Sequence, residues 1–273
     1  MSVELVALDI DGTLLAPGVA ADAVPETDVC EVVQELVSLG VHVVLATGRM
    51  FPGAAYIADA LSLRQPVICQ QGATVHTPDG EILEHHEINA RVAHALYDFA
   101  IEQDYGLAWF DAKRYLVTQE CGQTEFFAAV SRVAAEAVED PRQSGVRPTG
   151  VDIISSRRDA AKVHEQLEAR FGRDCTLLDF PSVTAVHSSA ASKGRAVADL
   201  AEQWGVRRDR VLAIGDSVND VSMLSWAGQS VTPEHADHYA KGAAEVVPGR
   251  GTAGVVARLR AAAEAVAKAA RGS

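Results

Sequence analysis

The chain has 273 residues, a length that suits one large domain or two ordinary ones. Hydrophobic residues at 48% and charged residues at 22% argue against a disordered or collagen-like chain, and 24 basic against 37 acidic residues (formal net charge −13) argue against a diffuse nucleic-acid or anionic-membrane binder. No run approaches the roughly 20 apolar residues of a membrane span, the N-terminus lacks the basic and apolar segments of a signal peptide, and the four cysteines form no CxxC pair, so a reduced, cytoplasmic protein is expected.

In chain order, residues 3–8 have the composition of a buried strand. Val29, Val32, Val33, Leu36 and Val37 follow helical spacing, Gly40 stops that helix, and 42–46 reads as the next strand. A helix over 51–61 and a strand over 66–70 complete a βαβαβ pattern, which implies a parallel sheet covered by helices on both faces. Thr77-Pro-Asp-Gly-Glu81 is a turn signal between extended segments and predicts a hairpin. The middle of the chain has another texture. Helices are expected over 90–103, 125–138 and 159–171, strands over 107–110, 115–118, 151–155 and 176–178, and a loop over 139–150. Antiparallel strands with helices on one face would fit. The first pattern then resumes: helix 193–204 capped by Ser192, strand 211–215, helix 219–226, strands 229–231 and 245–247 flanking a helix near 234–241, and a last helix capped by Thr252 with a frayed tail at Arg271-Gly-Ser. The expected fold is α/β: a doubly wound, mainly parallel Rossmann-like sheet with a discontinuous core (1–84 and 185–273) and an inserted α+β domain over 85–184.

Four short motifs carry the chemistry. Asp9-Ile-Asp11-Gly12-Thr13 places two carboxylates just past the first strand, at the sheet edge where ligands bind. Asp216, Asn219 and Asp220 follow the strand at 211–215 and form an oxygen-rich set suited to Mg2+. Thr47-Gly48-Arg49 follows the strand at 42–46, where a hydroxyl and backbone N–H groups can hold phosphate. Ser192-Lys193-Gly194 opens a helix and offers a cation. Taken singly these are capped turns, a helix cap and a surface lysine. Taken together they meet in one crevice, because parallel strands gather their C-terminal ends. Two unit anions about 4 Å apart repel by roughly 4 kcal/mol at an effective dielectric near 20, so a carboxylate attacking a phosphate needs a divalent cation and a lysine between them.

In this order the motifs resemble those of the haloacid dehalogenase superfamily, most closely its Cof-type phosphatases with a type IIB cap. The resemblance spans the core, and the inserted segment matches the cap in position and size. It implies a Mg2+-dependent phosphatase acting on a small phosphorylated metabolite, a sugar phosphate or phosphorylated cofactor. Asp9 would be the nucleophile that forms an aspartyl-phosphate, and Asp11 the acid and base. Thr47, Gly48, Lys193 and Asn219 would bind the phosphoryl group; Asp9, Asp11 (through its main-chain carbonyl) and Asp216 would hold Mg2+; Asp220 would stand behind them and orient the site. Two departures bear on the substrate rather than the core chemistry: Gln71-Gly72 where relatives often carry Asn-Gly, and His235-Ala236 where they often carry Asn-Ala. A phosphomutase and a non-catalytic phosphometabolite-binding protein are the rival readings, and a homodimer is compatible with the chain. The pairs His85-His86 and His235/His238 lack further zinc ligands nearby. Trp109, Phe110, Tyr115, Phe126 and Phe127 are expected to fill the core of the inserted segment.

Overall fold

The computed structural model describes residues 2–271; the terminal Gly-Ser of the expected frayed tail lies outside them. The first stretch runs β1 (Leu5–Leu8), α1 (Thr27–Ser38), β2 (His42–Leu45), α2 (Phe51–Ala60), β3 (Val67–Cys69), β4 (Thr74–His76) and β5 (Ile82–His85). The middle runs α3 (Ala90–Glu102), β6 (Gly106–Phe110), β7 (Tyr115–Val117), α4 (Gly122–Ser131), β8 (Ala135–Ala137), β9 (Gly150–Ile154), α5 (Ala160–Phe171), β10 (Cys175–Phe180) and β11 (Val183–Ser188). The last stretch runs α6 (Lys193–Gln203), β12 (Val211–Ile214), α7 (Val221–Trp226), β13 (Gln229–Pro233), α8 (His238–Ala243), β14 (Glu245–Val247) and α9 (Ala253–Arg271).

Five parallel strands in the order β14-β13-β12-β1-β2 form the main sheet. β1 and β12 are buried along their whole length, as a parallel sheet with two covered faces requires. Alternation along β1 divides the two cores. Val6 and Leu8 pack with Val29, Val32, Val33 and Leu36 of α1 and with α2 and α9, whereas Leu5 and Ala7 pack with Val197 and Leu200 of α6 and with α7 and α8. Val37, expected on the buried stripe of α1, is exposed instead. β3 touches the main sheet through a single bridge, Ala46–Ile68, and pairs antiparallel with the predicted hairpin β4–β5.

The middle strands form a second sheet, β10-β11-β9-β6-β7-β8, antiparallel except for β7–β8. One face packs on α3 and α5, with Trp109 and Val151 facing Leu96 and Leu167. The other face carries Ala108, Phe110, Tyr115 and Ile154 and reaches Met50 of the first stretch. Two local expectations fail. The helix expected over 125–138 ends at Ser131, because Arg132 adopts a left-handed conformation (φ 55°) and 135–137 leaves to pair with β7. The segment 183–188, unassigned from sequence, is a strand held between β9 and β10, so the boundary expected at 184 falls inside it.

Candidate active site

Register decides what meets at the sheet edge. Leu8 of β1 pairs with Leu45 of β2 and with Ile214 of β12. Asp9, Thr47 and Asp216 therefore leave three adjacent strands at one level. After β1 the chain wraps tightly: the Ile10 carbonyl accepts from the N–H groups of Thr13, Leu14 and Leu15. Gly12 makes this turn with φ 86°, and a Cβ there would overlap the Asp216 carboxylate. Thr13 Oγ1 lies 3.5 Å from Asp216 Oδ1. His235 reaches the same loop, with Nε2 2.7 Å from the Gly12 carbonyl; it braces the turn and is not among the residues lining the cavity described below.

Lys193 is the first residue of α6, whose Ser192 cap accepts from the Arg195 N–H at 3.1 Å. Gly194 allows the close approach, since a Cβ would strike the Ser222 carbonyl of α7. The Lys193 side chain is fully buried, and Nζ donates at 2.6 Å to both Asp9 Oδ1 and Asp220 Oδ1. The other Asp220 oxygen accepts from the N–H groups of Asp216 (2.9 Å) and Ser217 (3.1 Å). Both Asp220 oxygens are thus occupied, and the residue positions Lys193 and the loop after β12. Carboxylate oxygens of Asp9, Asp216 and Asp220 lie within 4.8 Å of one another.

The charges do not balance. Three carboxylates face one ammonium, which leaves two negative charges unmatched. Burial, and then repulsion from Asp220, lifts Asp9 to about 7; burial, and then repulsion from Asp9, lifts Asp216 to about 9. Burial opposes the charge on Lys193, but Asp220 and Asp9 outweigh it and hold the ammonium protonated above its ordinary range. An all-oxygen donor set with two surplus negative charges fits a hard dication.

A cavity of about 360 Å3 opens over this edge, bounded on the far side by β6, β7, β9, β11 and α4. Asp9, Asp11, Thr47, Gly48, Asp216 and Asn219 line it, so it gathers six of the eight residues picked out from sequence. Lys193 lies behind Asp9 and Asp220 is fully buried. Asp11 is held in a bidentate pair by Arg49, Nε to Oδ2 at 2.8 Å and Nη2 to Oδ1 at 2.6 Å. Arg49 is itself 2% exposed, and its Nη1 has no partner. The Arg49 N–H donates to Thr47 Oγ1 at 3.2 Å.

Sequence reasoning missed the roles of Arg49, Gln70 and Gln71. Gln70 (φ 48°) and Gln71 (φ 61°) are consecutive non-glycine residues in the left-handed region, a strained pair of the kind found at functional sites. Their N–H groups donate to the Arg49 and Thr47 carbonyls, which ties this loop to the Thr47-Gly48-Arg49 turn. Gln71 Oε1 accepts from Asn219 Nδ2 at 3.0 Å, while Asn219 Oδ1 is buried without a partner. Gln70 reaches the second sheet, donating to the Asp111 carbonyl at 2.6 Å and accepting from Thr149 Oγ1 at 2.6 Å. The departure at Gln71 was the available signal, but nothing local marks two left-handed glutamines. The aromatic expectation divides: Trp109 is core, with its indole N–H on the Val146 carbonyl, but Phe110, Tyr115, Phe126 and Phe127 line the cavity. The histidine pairs gather no metal set among the described residues. No described helix is long and apolar enough to cross a membrane.

A family model described as haloacid dehalogenase-like hydrolase matches residues 6–259. A phosphoglycolate phosphatase of Halorubrum lacusprofundi is 32% identical over 260 residues, covering 93% of this chain and 96% of that one. The Bacillus subtilis phosphatase YwpJ is 25% identical over 271 residues, covering 89% and 94%. Among solved structures, a haloacid dehalogenase-like hydrolase from B. subtilis superposes with a TM-score of 0.81 at 22% identity, covering 94% of this chain and 99% of that one. A subclass IIB sugar phosphatase superposes with a TM-score of 0.78 at 17% identity, covering 94% and 98%. The structural likenesses bear on fold, and they extend over both sheets.

Proposed function

The chain belongs to the haloacid dehalogenase-like hydrolases, and from that membership we propose that it is a Mg2+-dependent phosphatase that cleaves a small phosphorylated metabolite through an aspartyl-phosphate. The observation that carries the reading is the junction of Asp9, Lys193, Asp216 and Asp220 at the carboxyl edge of three parallel strands.

Asp9 is the nucleophile. Lys193 fixes Oδ1 at 2.6 Å and leaves the other oxygen to attack phosphorus. As that bond forms, the bond from phosphorus to the leaving oxygen breaks, and Asp11 gives the departing oxygen a proton. Asp11 then takes a proton from water, the water oxygen attacks phosphorus, and cleavage of the Asp9–phosphate bond restores the carboxylate and releases inorganic phosphate. Arg49 holds both Asp11 oxygens, so one of those contacts must open for either proton transfer. Thr47, the Gly48 N–H and Asn219 bind phosphoryl oxygens. Lys193 adds its third N–H, since two are taken by Asp9 and Asp220. Asp9, Asp216 and the Asp11 main-chain carbonyl would hold Mg2+, which when bound supplies the positive charge that lets an anion approach a phosphate.

Residues 1–85 together with the chain after Ser188 serve as the catalytic core, and 86–188 as the cap that closes over it. A separate hydrophobic core drawn only from residues 88–186 supports the division, and Met50 N–H donates to Ser131 Oγ at 3.1 Å across the junction. The four free cysteines suit a cytoplasmic protein.

The test is phosphate release from a panel of phosphomonoesters with Mg2+ and with chelator. Wild-type protein should release phosphate only with the metal, and Asp9→Asn should release none while keeping its circular dichroism. Full activity in Asp9→Asn would remove Asp9 as nucleophile. Isomerised sugar phosphate without free phosphate would point to a mutase, and tight binding without turnover to a binding protein.

A further inference from the structure

The cavity changes chemistry from one end to the other. Its floor is the charged edge of the main sheet; its far wall is aromatic, with Phe110, Tyr115, Phe126, Phe127 and Phe180. Alternation along β9 turns Asp152 to this wall, on the same side as Ile154, while Val151 and Ile153 face the helices. The cross-strand neighbours of Asp152 are Ala108 on β6 and Ala185 on β11. Two small side chains flanking a longer one leave a recess at the carboxylate, and Asp152 Oδ1 is buried with no hydrogen-bond partner. Burial alone lifts this carboxyl to about 7, so a group that restores its charge or satisfies its oxygens would be held strongly.

The neighbouring polar group is also an acceptor. His187 Nδ1 lies 3.2 Å from the Thr149 carbonyl. A carbonyl only accepts, so Nδ1 carries the proton; burial holds the ring neutral, down to about 4, which leaves Nε2 a lone pair. Among the described residues lining the cavity, Arg49 is the only lysine or arginine; its Nε and Nη2 are engaged with Asp11, and Nη1 faces the charged floor without a partner. A leaving group that carries a carboxylate at its far end would therefore meet Asp152 on a wall that has no lysine or arginine to offset it. A hexose would bring hydroxyls around its whole ring to a wall whose polar groups are the Tyr115 hydroxyl and the side chains of Gln123, Asp152 and His187, with Gln123 Nε2 already donating to Ser182 Oγ at 3.1 Å.

We propose that the leaving group is an organic cation, an amine or protonated ring nitrogen on an apolar or aromatic body, seated with its positive end in the recess between Asp152 and the aromatic side chains. The inference rests on the phosphatase reading and names its substrate class. Anion and aromatic faces together form the setting in which cations are bound best.

Four probes separate the cases: 4-(aminomethyl)phenyl phosphate, phenyl phosphate, glucose 6-phosphate and 2-phosphoglycolate. The wild-type kcat/KM should be highest for the first and exceed that for phenyl phosphate about tenfold or more. Asp152→Asn, which keeps the shape, should bring the kcat/KM values of the two aryl esters to within about threefold of each other. A wild-type preference for 2-phosphoglycolate or glucose 6-phosphate overturns the proposal, as does a cation preference that survives Asp152→Asn. Calorimetric binding of the same probes to Asp9→Asn separates this inference from the reading beneath it. Selective binding of the cationic ester without wild-type turnover would reject the hydrolase and keep the recess, whereas turnover without selectivity would reject the recess alone.

Discussion

Titrating Mg2+ into chelator-treated protein across a range of pH tests the charge balance of the site. Burial and repulsion from neighbouring carboxylates, Asp220 for Asp9 and Asp9 for Asp216, lift Asp9 to about 7 and Asp216 to about 9. A cation binds ionised carboxylates, so the protons on these groups must leave first. At pH 6 binding releases about two protons, at pH 8 about one, and above about pH 10 almost none. The logarithm of the association constant should therefore climb about two per pH unit near pH 6, about one near pH 8, and then level off. Calorimetry in two buffers of different ionisation enthalpy counts the protons directly. The same shifts set the stability of the metal-free fold. Both groups ionise near 3.8 in an ordinary setting. Between that pH and the raised native values the folded chain binds more protons than the unfolded one, so stability falls as pH rises from about 4 through about 7 and on toward 9. Mg2+ should accordingly raise the thermal midpoint more at pH 9 than at pH 5, and Asp216→Asn should abolish the upper step. An affinity that does not change between pH 6 and pH 9 would refute this account.

Lys193→Met removes the ammonium between two buried carboxylates and should cost about 3–5 kcal/mol in urea unfolding at pH 8, with part of the loss recovered at pH 5, where Asp9 takes up a proton. Gly53→Ala places a Cβ against the Val130 carbonyl of α4. It should prise α4 from α2, raise KM more than it lowers the unfolding midpoint, and increase proteolytic cleavage within 86–188; unchanged kinetics would show that this contact does not hold the cap closed.

Much of the site was legible before any coordinates, because its residues sit at punctuation points of local pattern. Asp9, Thr47 and Asp216 each follow a short apolar run, and the rule that parallel strands share a carboxyl edge brings them together. Lys193 could be placed at a helix start because Ser192 and the periodicity after it are local signals. Its two ion pairs span 184 and 27 residues of chain, and no window of sequence contains both partners. The same holds for Arg49 and Asp11, 38 residues apart.

Local composition determined the βαβ frame, the inserted segment and the motifs, since strand and helix periodicity and turn residues act over a few positions. Tertiary structure alone decided the rest. Short segments such as 183–188 and 135–137 carry too little pattern to declare themselves, and they become strands by pairing with neighbours already in place. Whether Phe110 or Trp109 faces the cavity depends on which side of β6 the helices cover. The left-handed backbone at Gln70 and Gln71 persists because Arg49, Thr47, Asp111 and Thr149 hold it from both sheets, a constraint that exists only once those sheets have met.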